Sequence, residues 1–249
     1  MKTYRIACVL AALAVGGCAH YQTPGSGVSI PEITSPAIAE VMARKPAATW
    51  PAKIIAVRVQ GPGYRSYTNQ GYGQGRFSVV TTRDIETEAE FQRLAAMPKV
   101  AGFGLLNRLL LPAKLESADD LRQGAAQLQA DIVLMYTLDT SFRTETNQIG
   151  PLQLVGLGFF PTKKAIVTST CSVVLIDTRT GYVHGVAEWS ANEDQRSGIW
   201  NKHDAIDKAR MRAERSAFLG AVGEVEQLWA GLSVGQPGAG TAATIATTP

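Results

Sequence analysis

Cysteine, histidine and charge are scarce in this chain of 249 residues, which holds three cysteines, three histidines and 18% charged residues. The histidines are His20, His184 and His203, and the sequence contains no His-Glu-x-x-His and no Gly-x-Ser-x-Gly, so no zinc-hydrolase or serine-hydrolase signature is present. Lys and Arg number 24 against 21 Asp and Glu, a formal charge of +3. That excess is too small and too scattered for a nucleic-acid surface, which concentrates basic side chains on one face. A hydrophobic fraction of 45% excludes a wholly disordered protein and allows an ordinary core.

What is present begins at the amino terminus. Met1 to Arg5 is a short basic segment, Ile6 to Val15 is apolar, and Gly16-Gly17-Cys18 follows. The apolar run falls well short of the ~20 residues that cross a bilayer as a helix, and the pattern is that of an export signal. Val15-Gly16-Gly17-Cys18 resembles the lipobox of bacterial lipoproteins. The resemblance implies lipid on the Cys18 sulfur, cleavage before Cys18 and acylation of the new amino group, with residues 1–17 removed. Several acyl chains on one residue hold durably to a membrane, whereas one binds reversibly. Ala19, rather than Asp, follows the cysteine, which in lipoproteins implies sorting to the outer membrane. Cys8 leaves with the signal and Cys18 carries lipid, so Cys171 remains alone and no intramolecular disulfide can form.

Residues 18–50 are rich in Pro, Ser, Gly and Ala and are expected to be a flexible tether, with Ser35-Pro36 opening one or two helical turns over 37–43. Residues 233–249, built from Gly, Ala, Thr and Pro, are expected to be a floppy tail. Residues 51–232 are expected to form one domain. Within it, Lys53 to Val59 and Phe77 to Thr82 have strand composition, and Glu86 to Met97 is helical up to Pro98. Val100 to Leu111 is apolar without a period, and so fits a buried strand or a helix. Ser117 caps a helix with Leu121 and Leu128 inward, followed by a central strand over Asp131–Leu138. Residues 165–190 form a hairpin around Asp177-Thr-Arg-Thr-Gly181. Val167, Ser169, Cys171, Val173 and Leu175 share one side of its first arm, and Val183, Gly185 and Ala187 alternate with His184, Val186 and Glu188 in its second. Asp204 to Leu232 is a long helix with Met211, Phe218, Val222, Val225 and Trp229 on its inner face.

These elements make an α+β layered domain, with a mixed sheet of about five strands packed by two or three helices. Two stretches, Leu121-Arg-Gln-Gly-Ala-Ala-Gln-Leu-Gln-Ala-Asp-Ile-Val-Leu and Val173-Val-Leu-Ile-Asp-Thr-Arg-Thr-Gly-Tyr-Val-His, resemble segments of the curli-secretion-channel lipoproteins and of the amino-terminal domain of the Tol-Pal β-propeller protein. The resemblance implies an envelope lipoprotein acting in assembly or protein contact, with an envelope partner or a second copy of itself. Pore formation is not carried over, because no pair of ten-residue alternating segments is evident.

Candidate sites are few. Leu152, Leu154, Leu157, Phe159 and Phe160 lie between Pro151 and Pro161, and suit an irregular core segment, a partner surface or a membrane contact beside Lys163 and Lys164. Tyr64, Tyr67 and Tyr72 sit in a glycine-rich loop over 61–75 that is either a solvent loop or an adaptable surface for protein or glycan. Its glycines match no dinucleotide or phosphate-binding loop. Cys171 with His184 is the nucleophile-and-base pair that can be imagined, but a small buried cysteine accounts for Cys171 more simply. Glu188 or His184 could serve an envelope hydrolase site, and Trp189 with Trp200, which flank the loop 192–198, could stack on a glycan. The charged run Lys208, Arg210, Arg212, Glu214, Arg215 is expected on the wet face of the last helix. The sequence implies no cofactor and no metal. It points to a non-enzymatic, lipid-anchored binding or assembly module facing the periplasm.

Overall fold

The computed structural model describes Gly27 and residues 38–146, 163–197 and 202–234. Cys18, the 151–161 segment, Trp200 and the end of the chain after Val234 lie outside the described residues.

The fold is mixed α+β. A six-stranded sheet combines β1 (Ala52–Gln60), β3 (Ser78–Val80), β4 (Val100–Leu105), β6 (Ile132–Thr146), β7 (Lys163–Asp177) and β8 (Val183–Ser197). Its order is β3-β1-β6-β7-β8, with β4 also on β1. β1 is parallel to β4 and β6, and β6, β7 and β8 form an antiparallel meander. β2 (Gln74–Gly75) and β5 (Lys114–Leu115) make a separate two-stranded ladder. The helices are α1 (Ile38–Ala43), α2 (Glu88–Ala95), α3 (Ala118–Gln127) and the 33-residue α4 (Lys202–Val234).

Local chemistry sets the helix starts. Ser117 Oγ accepts from Asp119 N at 3.2 Å while Asp120 Oδ2 accepts from Ser117 N at 3.0 Å, a reciprocal cap that satisfies two orphan donors of α3. At α2, Glu90 Oε2 takes the Thr87 N–H at 2.7 Å.

The sheet is covered on both faces over its first half, so its central strands are apolar on both sides. Ile54, Ala56, Ile132, Leu134, Tyr136, Cys171, Val173 and Leu175 face α2 and α4, where Phe91, Phe218, Val222, Val225 and Trp229 complete one core. Ile55, Val57, Val133, Met135, Val174 and Ile176 face α3, meeting Leu121 and Ala125.

Four expectations change. The strands of the meander are each 15 residues long, well beyond the expected 131–138 and 165–190. Their outer halves are rich in Ser, Thr and Asn, and are held by full cross-strand ladders and by Phe142 and Val167 packing on Ala209 and Ala213 of α4. In β8 a register shift at His184 pairs Ile176 with Val183 and Leu175 with Gly185. Val183 therefore shares a face with Val186 and Glu188, while Gly185, Ala187 and Trp189 turn toward α4. The run on α4 is also not all wet: Arg210 and Glu214 are 0% and 1% exposed. Helix α4 continues through Ser233 and Val234, two residues that composition placed in the tail.

Candidate functional site

Titratable groups gather under α4. Arg58, in the middle of β1, is completely buried; its Nη1 reaches Asp84 Oδ1 at 2.8 Å and Glu86 Oε1 at 3.4 Å, and its Nη2 donates to Tyr64 Oη at 3.1 Å. Arg210 donates to Asp207 Oδ1 at 2.9 Å and to Glu214 Oε2 at 2.6 Å. Glu214 Oε2 also lies 3.7 Å from Arg58 Nη2, so one carboxylate bridges the two guanidinium groups. Its other oxygen accepts from Thr140 at 3.0 Å, which in turn contacts Ser169 at 3.1 Å. Tyr136 donates to Glu86 Oε1 at 3.0 Å.

Burial pushes the Asp84 carboxyl up, but the hydrogen-bonded Arg58 and the nearby Arg210 outweigh it and hold that carboxyl below its usual range. For Glu214 the balance reverses: burial wins over Arg210 and Arg58, and the pKa stays raised. This network fastens strand β1, the 84–86 segment and α4 to one another. The cleft beside it, lined by residues that include Arg58, Glu86, Phe91 and Tyr136, has a volume of about 30 Å³. That is room for water, and about an order of magnitude below the ~300 Å³ and more of pockets that hold organic ligands.

At the opposite end of β6 and β7, two buried carboxylates clasp the chain entering the domain. Asp177 accepts from Arg179 N and Thr180 N of its own turn, both at 2.9 Å, and from Ala47 N at 2.6 Å. Asp131 accepts from Lys53 N at 3.0 Å and from the Thr49 hydroxyl at 2.6 Å, and Arg44 Nη1 donates to Gly181 O at 3.3 Å. Despite burial, these hydrogen bonds hold both carboxyls below their usual range. His184 Nε2 lies 3.7 Å from Asp177 Oδ2, and burial, only partly offset by that carboxylate, lowers its pKa.

The third feature is the α3-side face of the sheet beyond Met135 and Val174. Thr137, Asp139, Ser141 and Arg143 of β6 line it, with Thr168, Thr170 and Ser172 of β7. Cross-strand pairs tie β7 to β8 there: Thr168 to Asn192 at 2.6 Å, Thr170 to Ser190 at 2.7 Å and Ser172 to Glu188 at 2.7 Å. These side chains are exposed or half-buried.

The sequence-derived candidates fall as follows. Tyr64 is buried against Arg58 rather than displayed, and its hydroxyl accepts from Arg58 Nη2. Tyr67 is 79% exposed, and Tyr72 is half-buried with its hydroxyl donating to Leu111 O at 3.3 Å. Cys171 is fully buried opposite Trp189, and burial pushes its thiol up. His184 stands beside the Leu175 and Ile176 pairs, four to five positions along β7 from Cys171, so the two do not form a nucleophile and base. Glu188 belongs to the polar face, and Trp189 rests on α4 where a Cβ at Gly220 would meet its ring at 2.2 Å. Leu152, Leu154, Leu157, Phe159 and Phe160 lie outside the described residues, on the connection between β6 and β7. Composition missed the buried network; its one local signal is Arg58 inside the apolar strand Ile54–Val59.

Among the described residues no helix is long and apolar enough to cross a membrane, and no group of His, Cys, Asp and Glu is arranged to hold a metal ion. No protein-family model matches the chain, and no curated protein matches it. Solved structures similar to it include a Xanthomonas campestris protein of family DUF330, at 10% identity over 76% of this chain and 92% of that one, with a TM-score of 0.33. A neuraminyllactose-binding hemagglutinin homolog from Helicobacter pylori covers 73% and 89% at 10% identity and a TM-score of 0.35. A lipoprotein from Neisseria meningitidis covers 68% and 99% at 14% identity and a TM-score of 0.26. Likenesses this distant carry no argument about activity.

Proposed function

We propose that this protein is a lipid-anchored envelope module that faces the periplasm from the outer membrane and acts by binding rather than by catalysis. The observation that carries the reading is the sequence Val15-Gly16-Gly17-Cys18-Ala19 behind a basic and apolar leader. The architecture suits it: β6 and β7 pair as far as Thr146 and Lys163, and Leu152, Leu154, Leu157, Phe159 and Phe160 lie between those two residues in the sequence. Those side chains are the proposed contact with an envelope partner or a second copy, with exposed Tyr67 as a further contact on the body.

Replacing Cys18 with Ser removes the acceptor sulfur. The variant is expected to lose labelling by radioactive palmitate in cells and to move from the membrane to the soluble envelope fraction; an unchanged distribution contradicts the anchor. Leu157→Asp places a charge within the apolar connection. It is expected to weaken partner capture or self-association, read by crosslinking in intact cells, with the melting temperature held. Collapse of the melting temperature instead marks the segment as core.

A further inference from the structure

Among the described residues, the polar face of β6, β7 and β8 has one visitor from outside the sheet. Gly27, far from the rest of the described chain in sequence, sits half-buried on it: a Cβ built there meets Thr137 Oγ1 at 3.0 Å, Thr137 Cγ2 at 3.3 Å and Asp139 Cβ at 3.6 Å. Backbone approach this close is open to glycine and crowds any other residue. Thr137 Oγ1 is itself buried, and it has no hydrogen-bond partner among the described residues.

The direction follows from the second fixed point. Arg44, Ala47 and Thr49 are held at the Gly181, Asp177 and Asp131 end of the meander, and Ile132 pairs with Asp177 there. Thr137 lies five positions further along β6, about 17 Å toward the far end. Gly27 therefore sits further toward the hairpin end of the sheet than Arg44, Ala47 and Thr49 do. Nine positions, about 30 Å of strand, separate Thr137 from Thr146. Nine residues also separate Gly27 from Cys18, and an extended chain covers at most ~32 Å in that number.

We propose that this face is the bed of the chain's own amino-terminal arm: residues 19–26 continue from Gly27 past Asp139 and Ser141 toward Arg143, and Cys18 leaves the domain at the hairpin end. The meaning for the membrane rests on the lipidation proposed above, since it is the lipid that turns this path into an orientation. The anchor and the apolar 151–160 connection then share one end of the molecule, and the Asp131 and Asp177 clasp points away from the bilayer. Ser, Thr and Asn side chains suit the occupant Ala19-His-Tyr-Gln-Thr-Pro-Gly-Ser26, which is itself short, polar and free of net formal charge with His20 neutral.

Disulfide trapping in the full-length protein, in its native membranes, tests the path. The 3.6 Å between a Cβ at 27 and Asp139 Cβ falls in the range of about 3.5–4.5 Å for disulfides. G27C with D139C is expected to oxidise in most of the protein under mild oxidant, read as a gel shift after thiol labelling. Because a Cβ at 27 crowds Thr137, the pair is repeated with Thr137→Ala. Q22C is expected to link through a short bismaleimide to S141C, and to leave V183C at the turn end unlinked. Absence of the 27–139 disulfide in both backgrounds removes the seat, and linkage of position 22 to 183 reverses the direction; either overturns the proposal. The same pairs in a Cys18→Ser background separate the two readings: crosslinks that persist in protein whose membrane attachment never depended on Cys18 uphold the arm while refuting the anchor.

Discussion

Arg58→Ala should destabilise the protein by roughly 3–5 kcal/mol, the cost of leaving a buried carboxylate without its cation. Arg58 is fully buried and contacts Asp84, Glu86 and Glu214 within 4 Å, so truncation leaves Glu86 without a cation and Asp84 and Glu214 with Arg210 alone. Replacing it with Met fills the volume but leaves those charges, and is expected to cost nearly as much. The pH response supplies a second reading. Asp84 has a folded pKa below its ordinary value, so its contribution is present above the unfolded pKa and is lost as pH falls through the folded one. Removing Arg58 should move that acid limb of the stability curve toward higher pH. Arg83→Ala is the control, because the Arg83–Glu88 pair is 44% and 66% exposed and worth about 0–1 kcal/mol. Urea denaturation of the three variants decides it: a loss below ~1 kcal/mol for Arg58→Ala shows the network to be dispensable.

Trp229→Ala is the second large effect, expected at about 3–5 kcal/mol. The indole is completely buried near the end of α4, its rings 4.8 Å from Trp50, and Nε1 donates to Pro98 O at 2.7 Å. Truncation opens a cavity between α4 and the chain entering β1, and leaves the Pro98 carbonyl without that donor. The melting temperature should fall, and Trp229→Phe, which keeps much of the volume but loses the donor, should recover part of the loss. Equal stability of wild type and Trp229→Ala would mean that the last turns of α4 do not hold the core.

The parts of the fold that local chemistry dictates were legible in the sequence. Ser117 and Asp120 mark the start of α3, Ile132 to Leu138 has the apolar content of a central strand, and Phe218, Val222, Val225 and Trp229 give the inner stripe of α4. The outer halves of β6, β7 and β8 were not, because Thr140, Ser141, Thr168, Ser169 and Thr170 carry little hydrophobic alternation. Their extension depends on partners distant in sequence, such as Thr140 on Ser169 and Glu214. The bulge at His184 likewise shifts the β8 pattern by one residue, a change of register that only the pairing with β7 reveals. The buried network was hidden for the same reason. Asp84, Glu86, Arg210 and Glu214 each look like solvated charge until the fold brings them together with Arg58, and Arg210 and Glu214 lie on the α4 turns that face inward.

The site residues divide along the same line. Cys171 was legible as a small buried thiol, since it alternates with Val173 and Leu175 on the inner side of β7. Tyr64 was not, because a tyrosine in a glycine-rich loop gives no sign that a guanidinium 6 residues earlier awaits its hydroxyl. The seat of Gly27 could not be read at all, since it depends on contact between two segments more than a hundred residues apart.

Intact-mass and peptide mass spectrometry of the protein purified from its native host addresses the anchor most directly. A mature chain that begins at Cys18 and carries the mass of a diacylglyceryl group with an added acyl chain is the expected result. A chain that retains residues 1–17, or an unmodified Cys18, contradicts the placement in the envelope and the binding role built on it.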